Sequence, residues 1–271
     1  MNTKQKESKL KGILKNMNSV LVAFSGGADS TLLLKTAVDV LGKKNVLAAC
    51  AVSDVMPRQE QKQMKALAAL IGARLMIMNG AEMQNPLFLK NEKRRCYWCK
   101  RDRFLELKKI ARSEGLHFVI EGSNADDVGD YRPGMQAVSE LGIRSPLLEA
   151  GLKKKEIRSL SRRIGLPTWD KPAAACLASR IPYGTLIDAP LLKRIASAEQ
   201  LLHKAGFTQV RVRHHENIAR IEVPIGEIRR LLDPEIKNRI AKAFRKLGWQ
   251  YSAVDLEGYS TGSLNRFIIT V

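Results

Sequence analysis

The 271-residue chain is expected to fold as an α/β protein, a parallel sheet with helices on both faces, followed by a smaller C-terminal α+β domain. Short apolar runs alternate with amphipathic stretches of helical length as far as Gly184, the pattern of strand–helix–strand units. The first of these runs opens straight into a glycine-rich loop and a helix. After Gly184 the texture changes to a helix, paired strands, further helices and a last strand. The domains are therefore placed at 1–184 and 185–271.

Taken in order, the apolar residues 20–24 form the first strand, SGGADS a loop, and TLLLKTAVDVLG a helix closed by Gly42. A second strand covers 46–52, a helix 58–71 stops at Gly72, and a third strand covers 74–78. The cysteine-bearing segment CYWC follows, then a helix over 104–114 and a strand over 117–120 that opens onto EGSNADD. DYRPG, the helical KKKEIRSLSRRIG and the proline-rich LPTWDKPAAACLASRIPYG complete the first domain. In the second, a helix over 189–204 precedes the strands VRVRHH and ARIEV, helices pass through Arg230 and Phe244, and a strand lies over 251–256. No internal repeat is visible.

A hydrophobic content of 45% is enough for a buried core. The N-terminus is basic and polar, and no run reaches the length of a membrane span, so a cytoplasmic protein without membrane attachment is expected. Lys and Arg number 46 against 27 Asp and Glu, a formal charge of +19. Such a balance attracts polyanions or phosphate-bearing small molecules. Most of the basic runs sit at helical spacing and read as solvated faces. KRRCYWCKRDR differs, because it wraps two cysteines.

SGGADS, Ser25 to Ser30, lies between a strand and a helix, so its amides and the positive end of the helix can cradle an anion. It is neither GxxxxGK[ST] nor GxGxxG. Cys96 and Cys99 are spaced for a metal or cluster edge, a redox pair or a zinc half-site, and flanking cations favour their thiolates. Cys176 stands apart in AAACLASR. Cys50, inside VLAACAV, reads as a core residue. Arg211 and Arg213 alternate along a strand and should share a face that can grip a phosphate. His214 and His215 read as satisfied histidines.

FSGGADSTLLL resembles the SGGxDS signature of the PP-loop ATP pyrophosphatases, which cleave ATP between the α and β phosphates and pass AMP to an acceptor. That resemblance implies the adenine nucleotide alpha hydrolase-like fold. It also implies that Ser25, Gly26, Gly27 and Ser30 hold pyrophosphate, that Asp29 places it or its Mg²⁺, and that Ser53 and Gly122 contact adenine and ribose. SGGADS, CYWC, DYRPG, CLASRIPYG and VRVRHHENIARIE, in this order, resemble one family of that class, the LarE sulfur transferases.

The family resemblance implies adenylation of a carboxylate of a pyridinium dicarboxylate mononucleotide and insertion of sulfur to give a thiocarboxylate for the nickel-pincer cofactor. Cys96, Cys99 and Cys176 match the version thought to hold a 4Fe-4S cluster, whose bound sulfide is the nucleophile; sacrifice of the Cys176 sulfur is the alternative. By the same resemblance Ser179, Arg180, Arg211 and Arg213 bind the substrate phosphate, Lys100 neutralises departing AMP, and Glu199 and Asp255 lie near a divalent metal. ATP, Mg²⁺, the cluster, a small nucleotide substrate, a sulfide or sulfur-carrier donor and a homo-oligomer are the expected cofactors and partners. A related PP-loop tRNA thiolase is the competing reading. With 6% aromatic residues and no RNA-binding module, the sequence does not favour nucleic acid.

Overall fold

A computed structural model describes residues 1–53, 55–56, 58–128, 133–172 and 175–260, apart from the side chains of 58–60. Residues 130–132 of DYRPG and the end of the family resemblance near 265 lie outside them. The chain divides into two compact units, Met1–Phe88 with Arg94–Ala174, and Leu89–Lys93 with the chain from Ala175 onward.

The first unit carries a four-stranded parallel sheet of β1 (Val20–Ala23), β2 (Val46–Val52), β3 (Arg74–Asn79) and β4 (Phe118–Ile120), in the order β3-β2-β1-β4. Alternate residues face opposite ways along each strand. Val20, Val22, Val46, Ala48 and Cys50 enter one core with α1 (Thr3–Lys15), α2 (Ala28–Leu41), α3 (Arg58–Ile71) and the later helices α7 (Pro146–Glu149) and α8 (Lys154–Arg163). Leu21, Leu47, Ala49 and Val119 enter a second core with α5 (Arg95–Ser113) and α6 (Pro133–Glu140). A short α4 (Pro86–Leu89) precedes α5. The expected parallel sheet covered on both faces is therefore present, and burial of Cys50 pushes its thiol up to about 11.

Two elements differ from the sequence reading. Residues 3–15 form a helix capped by Asn2, whose side chain accepts from Gln5 N–H while Gln5 bonds back to the cap. Leu10 and Leu14 bury one face of it. CYWC is not a separate segment, because α5 starts at Arg95 and its first five residues include both cysteines.

The second unit packs α9 (Ala189–Lys204), α10 (Ile228–Leu231) and α11 (Pro234–Lys246) with β5 (Arg211–His215), β6 (Ile218–Glu222) and β7 (Tyr251–Val254). The sheet order is β5-β6-β7, the first pair antiparallel and the second parallel. Leu192, Ile195, Val212, Ile221, Phe244 and Trp249 are among its buried residues. Leu89–Lys93 belongs here because the side-chain amide of buried Asn91 donates to the carbonyls of Pro182 and Thr185 at 2.7 and 2.9 Å. Among the described residues no helix is long and apolar enough to cross a membrane.

Candidate active site

In the first unit β1 ends at the SGGADS loop, and Gly27 caps α2 without a side-chain bond. The first intrahelical bond runs from Thr31 N–H to Gly27 O, so the amides just ahead of it have no helical acceptor and face the cradle. Gly26 has φ +68°, a left-handed conformation that turns the following amide inward. Ser25 and Ser30 hold the loop shut, Oγ to Oγ at 3.0 Å, and Ser30 Oγ donates to Gly27 O. Gly122, just past β4, closes the other side. A Cβ there would lie 3.1 Å from the Ser30 amide nitrogen. The predicted residues Ser25, Gly26, Gly27, Ser30 and Gly122 are thus brought together, and their geometry suits a phosphate group.

Asp29, in the first turn of α2, accepts from Lys154 Nζ at 2.5 Å through Oδ2. Its Oδ1 is buried with no hydrogen-bond partner among the described residues, a donor set that fits a cation such as Mg²⁺. Burial raises its pKa, with Lys154 acting against that shift. Lys171 Nζ donates to Gly26 O at 3.2 Å and to Gln63 Oε1 at 3.0 Å, and Arg158 donates to the Lys171 carbonyl. Lys154, Arg158 and Lys171 therefore flank the loop. Beside Lys171 lies a cleft of about 390 Å³ walled by Gln63, Leu67, Pro167 and Thr168. The three cations went unassigned in the sequence; the lysine run opening α8 was a signal, read there as a solvated face.

Beyond the carboxyl ends of β2 and β3, still in the first unit, lies a second polar group. Ser53 Oγ donates to the buried carboxylate of Glu82, which lies 3.7 Å from Arg103; Arg103 in turn donates to Cys99 Sγ at 3.5 Å. Cys96 and Cys99, three apart on one helix, share a face, Cys96 exposed and Cys99 half-buried. One residue on, Lys100 Nζ sits 3.4 Å from Glu121. Glu121 is buried and accepts from Ser145 Oγ at 2.6 Å and Ser123 N–H at 3.0 Å. Burial would raise its pKa, but Lys100 and these hydrogen bonds outweigh that and lower it. Sequence reasoning missed Glu82 and Glu121, each an ordinary-looking acid until its burial is seen.

The second unit contains Cys176, exposed, at the cap of a single 3₁₀ turn over Leu177–Arg180. Two buried arginines tie this turn down. Arg180 is bidentate to Glu199 at 2.8 and 3.0 Å and donates to the carbonyls of Ala175 and Cys176 at 2.8 and 3.0 Å. Arg213 is bidentate to Glu222 at 2.6 and 2.9 Å and donates to Ser179 O at 2.8 Å. Ser179 Oγ donates to the Cys176 carbonyl. Arg211 is half-buried on β5 with its guanidinium over the Tyr259 ring, and burial and the Arg180 charge lower its pKa. Glu199 also accepts from Val212 N–H, while Asp255 pairs with Arg220. Among the described residues no cluster of three or more His, Cys, Asp or Glu side chains is arranged to hold a metal ion. Cys96 and Cys99 belong to the first unit and Cys176 to the second.

A family model described as NAD synthase matches residues 4–95. An uncharacterized protein of Synechocystis sp. PCC 6803 is 42% identical over 265 residues, 97% of this chain and 98% of that protein. The pyridinium-3,5-bisthiocarboxylic acid mononucleotide synthase of Lactiplantibacillus plantarum is 37% identical over 260 residues, 96% of this chain and 94% of that enzyme. An uncharacterized protein of Methanocaldococcus jannaschii is 28% identical over 253 residues, 93% of this chain and 95% of that protein.

Proposed function

We propose, for a chain that belongs to the LarE family of PP-loop sulfur transferases, that it adenylates a carboxylate of a pyridinium dicarboxylate mononucleotide and replaces the AMP with sulfur. The observation that carries the reading is similarity to the Lactiplantibacillus synthase over 96% of the chain, spanning both the glycine loop and the cysteine turn.

In this reading the amides of Gly26 to Ser30 hold the β and γ phosphates of ATP, and Asp29 holds Mg²⁺. The substrate carboxylate attacks the α phosphorus, pyrophosphate leaves into the cradle, and Lys100, positioned by Glu121, neutralises the AMP that departs in the second half-reaction. Fixed donors act here by orientation and charge neutralisation. Arg211 and Ser179 bind the substrate phosphate. Arg180 and Arg213 hold the turn that presents Cys176.

The donor set of Cys96, Cys99 and Cys176 is chemically suited to iron, with an edge pair on one helical face. A 4Fe-4S cluster held by these three thiolates would supply sulfide as the nucleophile.

Anaerobically purified wild type and Cys99→Ala are to be compared for iron and acid-labile sulfide, and for conversion of the nucleotide dicarboxylate to thiocarboxylate with release of AMP and pyrophosphate. About four irons per wild-type chain, lost in the variant, is the expected result. Full sulfur transfer by iron-free protein, with one turnover per chain and conversion of Cys176 to dehydroalanine, would assign the sulfur to Cys176. Thiolation of tRNA in place of the nucleotide would overturn the acceptor.

A further inference from the structure

Lys153, Lys154 and Lys155 stand at the start of α8, where the helix dipole disfavours positive side chains. The first turn has a reason to be acidic, and Glu156 alone supplies that. Lys154 is accounted for by its partner. Its ammonium lies 2.5 Å from Asp29 Oδ2, and its backbone N–H is anchored by Asp126 Oδ2 at 2.8 Å, so α8 aims this side chain at the glycine loop. The second Asp29 oxygen is buried and has no hydrogen-bond partner among the described residues. A carboxylate with one oxygen on an ammonium and the other buried and unmatched is half of a cation site. The other charges bearing on Asp29 are those of Asp127, from the loop after β4, and Arg158, one turn further along α8.

We propose that Lys154 is the resident counter-ion of Asp29, holding the place of the divalent cation in the absence of nucleotide and passing to the phosphate chain when metal and ATP bind. The inference rests on the reading of Ser25 to Ser30 as the ATP site. A cation entering at Oδ1 places a second positive charge on the carboxylate that Lys154 holds through Oδ2, and the repulsion between the two drives the ammonium off as the metal binds. The released ammonium, on the same rim as the cradle amides, then meets negative charge. Mg²⁺ and ATP thus bind cooperatively, because each compensates the rearrangement the other requires.

The test uses Mn²⁺ alone, its binding to the full-length protein followed by electron paramagnetic resonance, in wild type, Lys154→Met and Asp29→Asn, alongside calorimetry with Mg²⁺ and a non-hydrolysable ATP analogue. Lys154→Met should bind Mn²⁺ about three- to five-fold more tightly than wild type, the competition of a partly exposed pair, while binding the Mg²⁺–analogue complex more weakly. Mn²⁺ affinity in Lys154→Met equal to or below that of wild type overturns the proposal. A gain that persists in Asp29→Asn/Lys154→Met overturns it too, since the metal would then sit elsewhere.

A measurement on the wild type keeps the question open to refutation if a variant fails to fold. Acetylation of Lys154, read by peptide mass, should rise on adding Mn²⁺ alone and fall again with Mg²⁺ and the analogue. No change with Mn²⁺ counts against the counter-ion role. Failure of the wild type to bind the analogue at all, with the Mn²⁺ gain intact, would instead remove the nucleotide reading of the loop and leave the Lys154 result standing.

Discussion

Arg180 is 2% exposed, and nearly all of the hydrogen-bonding capacity of its guanidinium is spent within a few ångströms on Glu199 and the carbonyls of Ala175 and Cys176. Replacing Glu199 by alanine would strip the only carboxylate paired with it among the described residues and leave the Val212 amide without its acceptor. Breaking a buried pair from one side costs about 3–5 kcal/mol, because a charge is left in a poorly solvated place. Removing both partners with hydrophobic residues of similar size often costs far less. The assay is urea unfolding followed by Trp249 fluorescence, in a background with Trp98 and Trp169 changed to phenylalanine. Trp249 is buried in the second unit and reports on it alone. Glu199→Ala should lower the stability of that unit by about 3–5 kcal/mol, and Arg180→Met/Glu199→Leu should recover more than half of the loss. A single-variant loss below about 1 kcal/mol, the value of an exposed pair, or a double-variant loss equal to the sum of the two singles, would refute the account of a buried anchor.

Gly122→Ala should weaken binding of an ATP analogue by about ten-fold, as measured by calorimetry, because its Cβ would meet the Ser30 amide, a backbone atom that cannot step aside. Glu121→Gln should cost roughly 1–3 kcal/mol in thermal or urea unfolding and reduce sulfur transfer through loss of the carboxylate that positions Lys100; unchanged transfer would free Lys100 of that role. His214 accepts from Trp249 Nε1–H through Nδ1 at 3.1 Å, and burial, then the Arg194 charge, hold its pKa below the ordinary 6.5. A histidine with a lowered folded-state pKa contributes stability that is complete above 6.5 and lost as pH falls below it. The Trp249-detected urea midpoint should therefore drop on acidification through that range and do so less in His214→Gln.

The parts of the molecule legible in the sequence are those set by neighbours along the chain. Residues 46–52 and 58–71 announce a strand and a helix by their periodicity, and SGGADS announces an anion loop because strand, glycines and helix are contiguous. The helix over 3–15 was passed over because its polar residues hide an apolar stripe of only Leu10 and Leu14 among its buried positions. The resemblance gives Arg180 and Arg213 to the substrate phosphate, whereas in the structure both guanidinia are committed to the buried carboxylates of Glu199 and Glu222. The burial of the two arginines was not legible, because it depends on Glu199 and Glu222, whose approach is fixed by the packing of α9 and β6. The Lys154–Asp29 contact spans 125 positions, and nothing in a local window pairs those two residues.

Asn91 gives the chain an order of events. The carbonyls of Pro182 and Thr185 are satisfied by an amide made some ninety residues earlier, one that lies outside the segment from Ala175 onward. A fragment beginning at Ala175 would lack that donor, so the second unit has no contiguous coding segment of its own. On the ribosome, Leu89–Lys93 emerges long before the carbonyls that receive the Asn91 amide, and this contact can form only once Thr185 has been synthesised. Permuted or dissected forms of this protein would have to carry the Asn91 segment with the second half to retain its fold.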